Sequence, residues 1–218
     1  MGNRPANLCA KHRICIICEG YEEEMYVRHL LAKQVWNEIY DFTVINAKGE
    51  GNVPARFQYA VNRDVFELVL AFCDTDRSPY RQYLDIKEKI NSLYEGNDAV
   101  GKVMIYANPC SMLIILSHFA DVTLRTQGKK TNAKLIEKHT GVKGYKANQE
   151  EQIRAICDKM SRQSYCDMKR RISTLDHPDN VPGSTNFIQF VNHFESDSPA
   201  WMTEIRQGLA GESQKTDL

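Results

Sequence analysis

Two short, wholly apolar runs, Ile14 to Cys18 and Leu68 to Cys73, each stop at acidic residues: Glu19-Gly20 after the first, Asp74-Thr75-Asp76 after the second. A short apolar run without polar alternation suits a strand buried on both faces, as in a parallel sheet covered by helices. The segments between the two runs agree. Tyr26, Val27, Leu30, Leu31 and Val35 recur at helical spacing and predict a helix over 22–39. Phe42 to Asn46 reads as a second strand, Lys48 to Asn52 as a loop, and Pro54 suits the first turn of another helix. Beyond the Asp pair, Tyr83, Ile86, Ile90 and Leu93 mark an amphipathic helix, and Lys102 to Tyr106 a fourth strand. Asn108-Pro109 breaks that strand, and Ser111 to Phe119 predicts a mostly buried helix. Strands alternating with helices imply an α/β fold whose parallel sheet carries helices on both faces.

After about residue 120 the strand-like runs cease and helical patterns take over, at 131–139, 147–165 and 184–196. The expected organisation is an α/β core at 1–120, a helical extension at 121–210 and a disordered polar tail at 211–218. A chain of 218 residues can bury a full core without staples. Its seven cysteines, at 9, 15, 18, 73, 110, 157 and 166, sit mostly beside apolar neighbours, which suits reduced thiols. Cys15 and Cys18, three apart in a strand, face opposite ways and cannot easily share a metal. No apolar run approaches the roughly 18 residues of a membrane span. Nor does an apolar N-terminal stretch precede a small-residue cleavage site, so a cytoplasmic location is expected.

In an open parallel sheet, ligands bind in the crevice outside the carboxyl ends of the strands. If the strands before Glu19 and before Asp74 and Asp76 are neighbours, three carboxylates converge there. Asp74 and Asp76, two apart in extended chain, would point the same way. Such a group repels itself unless a cation occupies it, and hard oxygen donors suit Mg²⁺ or Mn²⁺. A cation so held lowers the pKa of water and neutralises charge on a phosphate, which fits phosphodiester hydrolysis. The plainer alternative is that the Asp pair caps a helix or forms an Asx-turn. Glu22, Glu23 and Glu24 open the next helix, where the macrodipole favours acids; the functional alternative is that Glu23 lies near enough to Glu19 to assist a second metal.

These residues carry a resemblance. Glu19-Gly20-x-x-Glu23-x-x-Tyr26 resembles the opening motif of TOPRIM proteins of the RloB and OLD-nuclease type. Asp74-x-Asp76 after an apolar strand is similar to their second motif. Asn108-Pro109-Cys110 with the apolar stretch ending Leu116-Ser117-His118-Phe119 resembles the RloB segment after the next strand. Pro182-Gly183-Ser184-Thr185-Asn186-Phe187, then Phe190-Val191, resembles the RloB C-terminal stretch with a Gly inserted. The resemblance implies a TOPRIM fold, divalent-metal cleavage of nucleic acid, and a role in prokaryotic anti-phage defence with an ATPase partner. It places action at the scissile phosphate on Glu19 and metal on Asp74 and Asp76; joined to the reading of the residues above, the expected catalytic set is Glu19, Glu23, Asp74 and Asp76 and the expected metal set Glu19, Asp74 and Asp76. One departure is Met112, where the family usually carries a glutamate. That loss motivates the alternative of a catalytically weakened TOPRIM-like binding or regulatory subunit.

The formal net charge is zero, so any grip on nucleic acid must be local. Residues 122–146 supply one: seven basic residues stand against the single acid Glu137. Lys129, Lys130 and Lys134 are the expected phosphate contacts, and Asn108 a further substrate contact. Tyr145, among the lysines, is a candidate for stacking on a base. The competing reading of the patch is a solvated helical face. No Gly-x-x-x-x-Gly-Lys-Ser/Thr loop is present, which disfavours a nucleotide-triphosphate hydrolase. His118, on an apolar stretch, is expected to be a hydrogen-bonded structural residue. Trp36 and Trp201 are read as packing or interface anchors, which leaves a homo-oligomer open.

Overall fold

Strand β1 (His12–Cys18) pairs with β2 (Tyr40–Asn46) on one side and with β3 (Leu68–Asp74) on the other, and β3 pairs with β4 (Met104–Ala107). All pairs are parallel, in the order β2-β1-β3-β4. The computed structural model describes residues 10–76, 79–94, 100–125 and 129–210. Cys9 and the tail at 211–218 lie outside the described residues. Every residue from Ile14 to Cys18 and from Leu68 to Cys73 is buried, so both faces of the two central strands are covered.

Helix α1 (Tyr21–Ala32) carries the chain from β1 outward to β2. Helix α2 (Val53–Asn62) brings it back across β1 to β3, and α3 (Arg81–Ser92) with the single turn α4 (Val100–Val103) continues to β4. Right-handed crossovers then put α1 on one face and α2 and α3 on the other. Aromatic contacts agree: Phe57 of α2 meets Tyr94 just past α3 at 6.4 Å between ring centroids. On the opposite face, Tyr26 of α1 packs on Phe187, which stacks on Phe72 of β3 at 5.6 Å.

The later chain is helical: α5 (Met112–Leu116), α6 (Lys129–Thr140), α7 (Glu150–Cys157), α8 (Arg162–Ile172), α9 (Phe187–Glu195) and α10 (Ala200–Ala210). Boundaries differ from the sequence reading for local reasons. The first helix stops at Ala32 rather than near 39, because Gln34 enters the left-handed region at φ 50°. The stretch 147–165 is two helices. Ser161 breaks it, accepting from the Ser164 N–H as the N-cap of α8. Helix α10 lies beyond the expected helical patterns, held by buried Trp201, Met202 and Leu209.

The core is continuous across residue 120. Phe187, Phe190, Val191 and Phe194 of α9 are buried, and Phe194 lies 4.7 Å from Trp36 and 6.0 Å from Trp201 between ring centroids. Both tryptophans therefore anchor internal packing. The edge of β4 is closed by the segment before α9. Thr185 bridges Ala107 and donates to the Tyr106 carbonyl at 2.6 Å. The Asn186 amide accepts from the Tyr106 N–H at 2.9 Å and donates to the Met104 carbonyl at 2.8 Å. Side chains thus complete a ladder that an edge strand would otherwise leave open. No helix among the described residues is long and apolar enough to cross a membrane.

Candidate metal centre

The strand order reverses between β1 and β3: the connection from β1 leads to β2, that from β3 leads away to β4. Connections that diverge in this way open a crevice at the carboxyl ends of the two strands. Glu19 follows β1 directly and Asp74 closes β3. The Asp74 N–H donates to Glu19 Oε2 at 3.1 Å, and Asp74 Oδ1 accepts from the Ser111 N–H at 2.7 Å. The first turn of α1 adds two more carboxyls, since Glu22 and Glu23 are only 6% and 3% exposed. A role confined to complementing the helix dipole would leave them in water.

Ser111 and Tyr145 organise these groups. The Ser111 hydroxyl donates to Glu22 Oε2 at 3.1 Å and also contacts Glu23 Oε1. A hydroxyl has one proton, so for both contacts to be hydrogen bonds one carboxyl must carry a proton of its own. The Tyr145 hydroxyl donates to Glu22 Oε1. Glu23 Oε2 accepts from the Gly20 N–H at 2.8 Å, which ties it to the turn that launches α1.

Two metal-competent groups result. Carboxylate oxygens of Glu19, Glu50 and Asp76 lie within 4.8 Å of one another, as do those of Glu22 and Asp74 with the Cys110 sulfur. Glu19, Asp74 and Asp76 thus reach one end of the sheet but divide between the two groups. The expectation that the Asp pair would point together is corrected by the backbone. The strand ends at Asp74, and Asp76 sits at φ 56°, in the left-handed region rather than in extended chain. Its N–H donates to the Pro109 carbonyl at 2.9 Å. Glu50 arrives through the loop after β2, where Gly49 at φ 119° lets the chain fold back and donate to the Glu19 carbonyl at 2.9 Å.

Burial and crowding of like charges set the protonation of this centre. Burial, then the charge of Glu23, pushes Glu19 up to about 8 and Glu22 up to about 7. Burial raises Glu23, and burial with the charges of Glu23 and Glu19 raises Asp74 well above the usual carboxylate range. Among the described residues no Lys, Arg or His forms an ion pair with Glu19, Glu22, Glu23, Asp74 or Asp76. Protons or a cation must therefore balance the cluster. Its oxygen donors can hold a metal ion, and Cys110 adds one softer donor, with its thiol raised by burial and by Asp74.

The other candidate residues fall elsewhere. Asn108 is fully buried: its amide donates to the Asp179 carbonyl at 2.8 Å and to the Tyr80 hydroxyl at 3.3 Å. The 178–184 loop covers it, so its side chain has no surface to offer nucleic acid and instead ties that loop to the end of β4. Lys130 and Lys134 are exposed on α6, one helical turn apart; the Lys129 side chain lies outside the described atoms. Tyr145 is turned inward onto Glu22 rather than standing free to stack. Met112 is buried in α5, beside the Ser111 that serves Glu22 and Glu23. His118 lies between the Tyr26 hydroxyl at 2.9 Å and the Ser164 hydroxyl at 3.2 Å, a structural position. Cys15 and Cys18 are buried free thiols, and burial raises both.

Glu22, Glu50, Cys110, Ser111 and the docking of Tyr145 were not read as site features from sequence. For Glu22 a signal existed: it lies four residues before Tyr26, on the stripe that continues to Leu30, and both of these are buried. Comparisons with family models, with curated proteins and with solved structures return no match.

Proposed function

We propose that the chain is a divalent-cation-dependent nuclease that cleaves phosphodiester bonds at the carboxyl ends of β1 and β3. The observation that supports it is the cluster of buried Glu22 and Glu23 with half-buried Glu19 and Asp74, and with Asp76 and Glu50 at its rim, lacking any basic partner among the described residues. Its oxygen-rich donor set suits Mg²⁺ or Mn²⁺. When bound, such a cation supplies Lewis acidity and lowers the pKa of water. The chain's own residues do the rest. In the cation-free chain burial and the charge of Glu23 hold Glu19 up to about 8 and Glu22 up to about 7, so these carboxyls would release their protons as a cation enters. The Asp74 N–H fixes one Glu19 oxygen, and Ser111 fixes Asp74 and Glu22, so the acceptors are set in place before substrate arrives. The exposed Lys130, Lys134, Lys143 and Lys146 offer cationic contacts for the sugar–phosphate backbone.

The test is Mn²⁺-dependent cleavage of labelled DNA and RNA by wild type, Glu19→Gln and Asp74→Asn. Each variant is expected to lose roughly 10²-fold or more of the rate. Unchanged far-ultraviolet circular dichroism would show that the fold is kept. Equal rates in all three proteins refute the proposal. The second reading, a TOPRIM-like binding or regulatory subunit, is favoured by Met112, which puts a buried apolar side chain where the resembling family carries an acid. Cation-independent nucleic-acid binding with no cleavage in any divalent ion would select it. A defence role alongside an ATPase subunit follows from the motif resemblance, and co-purification with a co-expressed ATPase tests it.

A further inference from the structure

We propose that Tyr145 is a positioning residue that couples the basic segment to the acidic centre, so that cation and nucleic-acid backbone bind cooperatively; this rests on the function proposed above. The turn that follows α6 carries Lys143 and Lys146 in water, while Tyr145 between them is drawn inward and donates a hydrogen bond from its hydroxyl to Glu22. From behind, Gln152 of α7 braces the same turn. Its Oε1 accepts from the Lys146 N–H at 2.7 Å, and its Nε2 faces the Lys143 and Gly144 carbonyls at 3.4 Å. Helix α7 itself packs against α1, which bears Glu22.

The turn is therefore tethered at two points, by Tyr145 to Glu22 of α1 and by Gln152 of α7. Lys143 and Lys146 lie two residues and one residue from Tyr145, and consecutive Cα atoms are about 3.8 Å apart, so the hold on Tyr145 also limits where both lysines can stand. Neither lysine forms an ion pair among the described residues, which leaves both ammonium groups available to phosphate. Glu22 is gripped from both sides, by Tyr145 on Oε1 and Ser111 on Oε2. A cation that fixes Glu22 also fixes the Tyr145 hydroxyl, and with it the two lysines. By reciprocity, a backbone bound on those lysines holds Glu22 for the cation.

Fluorescein-labelled oligonucleotides of one sequence, as single-stranded DNA, duplex DNA and RNA, report the coupling through anisotropy. Titrations are run with and without Ca²⁺, used in place of Mg²⁺ to hold off cleavage. In wild type, Ca²⁺ is expected to tighten the best-bound form about tenfold, an ordinary size for a coupling between sites. Tyr145→Phe, measured against its own cation-free binding, should lose most of that tightening. The pair Lys143→Ala/Lys146→Ala, both exposed, should also lose it, and lower the salt slope by about two. Lys130→Ala/Lys134→Ala should weaken binding but keep the tightening. If Tyr145→Phe melts early, the Lys143/Lys146 pair decides alone. Tightening retained in Tyr145→Phe, or in that pair, overturns the coupling while the metal centre stands. A wild type that takes up no Mn²⁺ in a paramagnetic titration, or binds no oligonucleotide, overturns both.

Discussion

Ser111 shows how much one side chain can decide here. Its N–H holds Asp74 and its hydroxyl serves Glu22 and Glu23, so it joins carboxyls from β3 and α1 that share no sequence neighbourhood. Ser111→Ala keeps the backbone contact but removes the one hydroxyl that partners two buried carboxyls. A buried polar group left short of a partner costs about 1–3 kcal/mol. Urea unfolding of Ser111→Ala without metal should show a loss in that range, and Ser111→Thr, which restores the hydroxyl, should recover part of it. A variant as stable as wild type would mean that the hydroxyl has no such role. At this scale the acids that follow apolar runs were legible, because Glu19, Asp74 and Asp76 are marked by where the apolar pattern stops. Ser111 and Tyr145 were not, since their partners lie 37 or more residues away.

Among the elements, the strands were the most legible, and their physics explains why. A strand buried on both faces leaves a continuous apolar run, and β1 and β3 are such runs. Helix ends were less so: Gln34 follows the end of α1 with a left-handed backbone and Ser161 starts α8 by capping, signals weaker than periodicity. The segment from Ser184 to Asn186, which resembles a family motif, works structurally in this chain by closing the edge of β4. Asn186→Ala removes the partners of one N–H and one carbonyl, both buried with β4, and should cost about 2 kcal/mol in denaturant unfolding. Phe187→Ala, at a site with no exposure between Tyr26 and Phe72, should cost about 3–5 kcal/mol in the same measurement. Losses well below these would mean that α9 and the turn before it are only loosely attached to the sheet.

At the scale of the whole molecule, the carboxyl cluster and His118 oppose one another in pH. Glu19 near 8 and Glu22 near 7 lie above their unfolded values near 4.5, so the folded chain holds the extra protons between those limits. Stability from these groups is full below about pH 4.5 and is lost as pH rises through 7 to 8. His118 runs the other way: burial lowers it from 6.5 to about 3, so its contribution is lost as pH falls through that interval. Above pH 6.5 only the carboxyl effect remains. Thermal melts in a chelator should therefore fall from pH 6.5 to about 8, and millimolar Mg²⁺ should remove the fall by binding the ionised cluster. A flat profile in chelator would show that the carboxyls are not held protonated. Periodicity and residue type, read along the chain, determined the buried strands, most helices, and the acids at two strand ends, because each depends only on near neighbours. The tertiary structure alone decided that β1 lies beside β3, that Asp76 turns from Asp74 toward Glu19 and Glu50, and that Tyr145 crosses to Glu22. Strand order and loop return are settled by competition among distant surfaces for the same core, and no local pattern records the outcome of that competition.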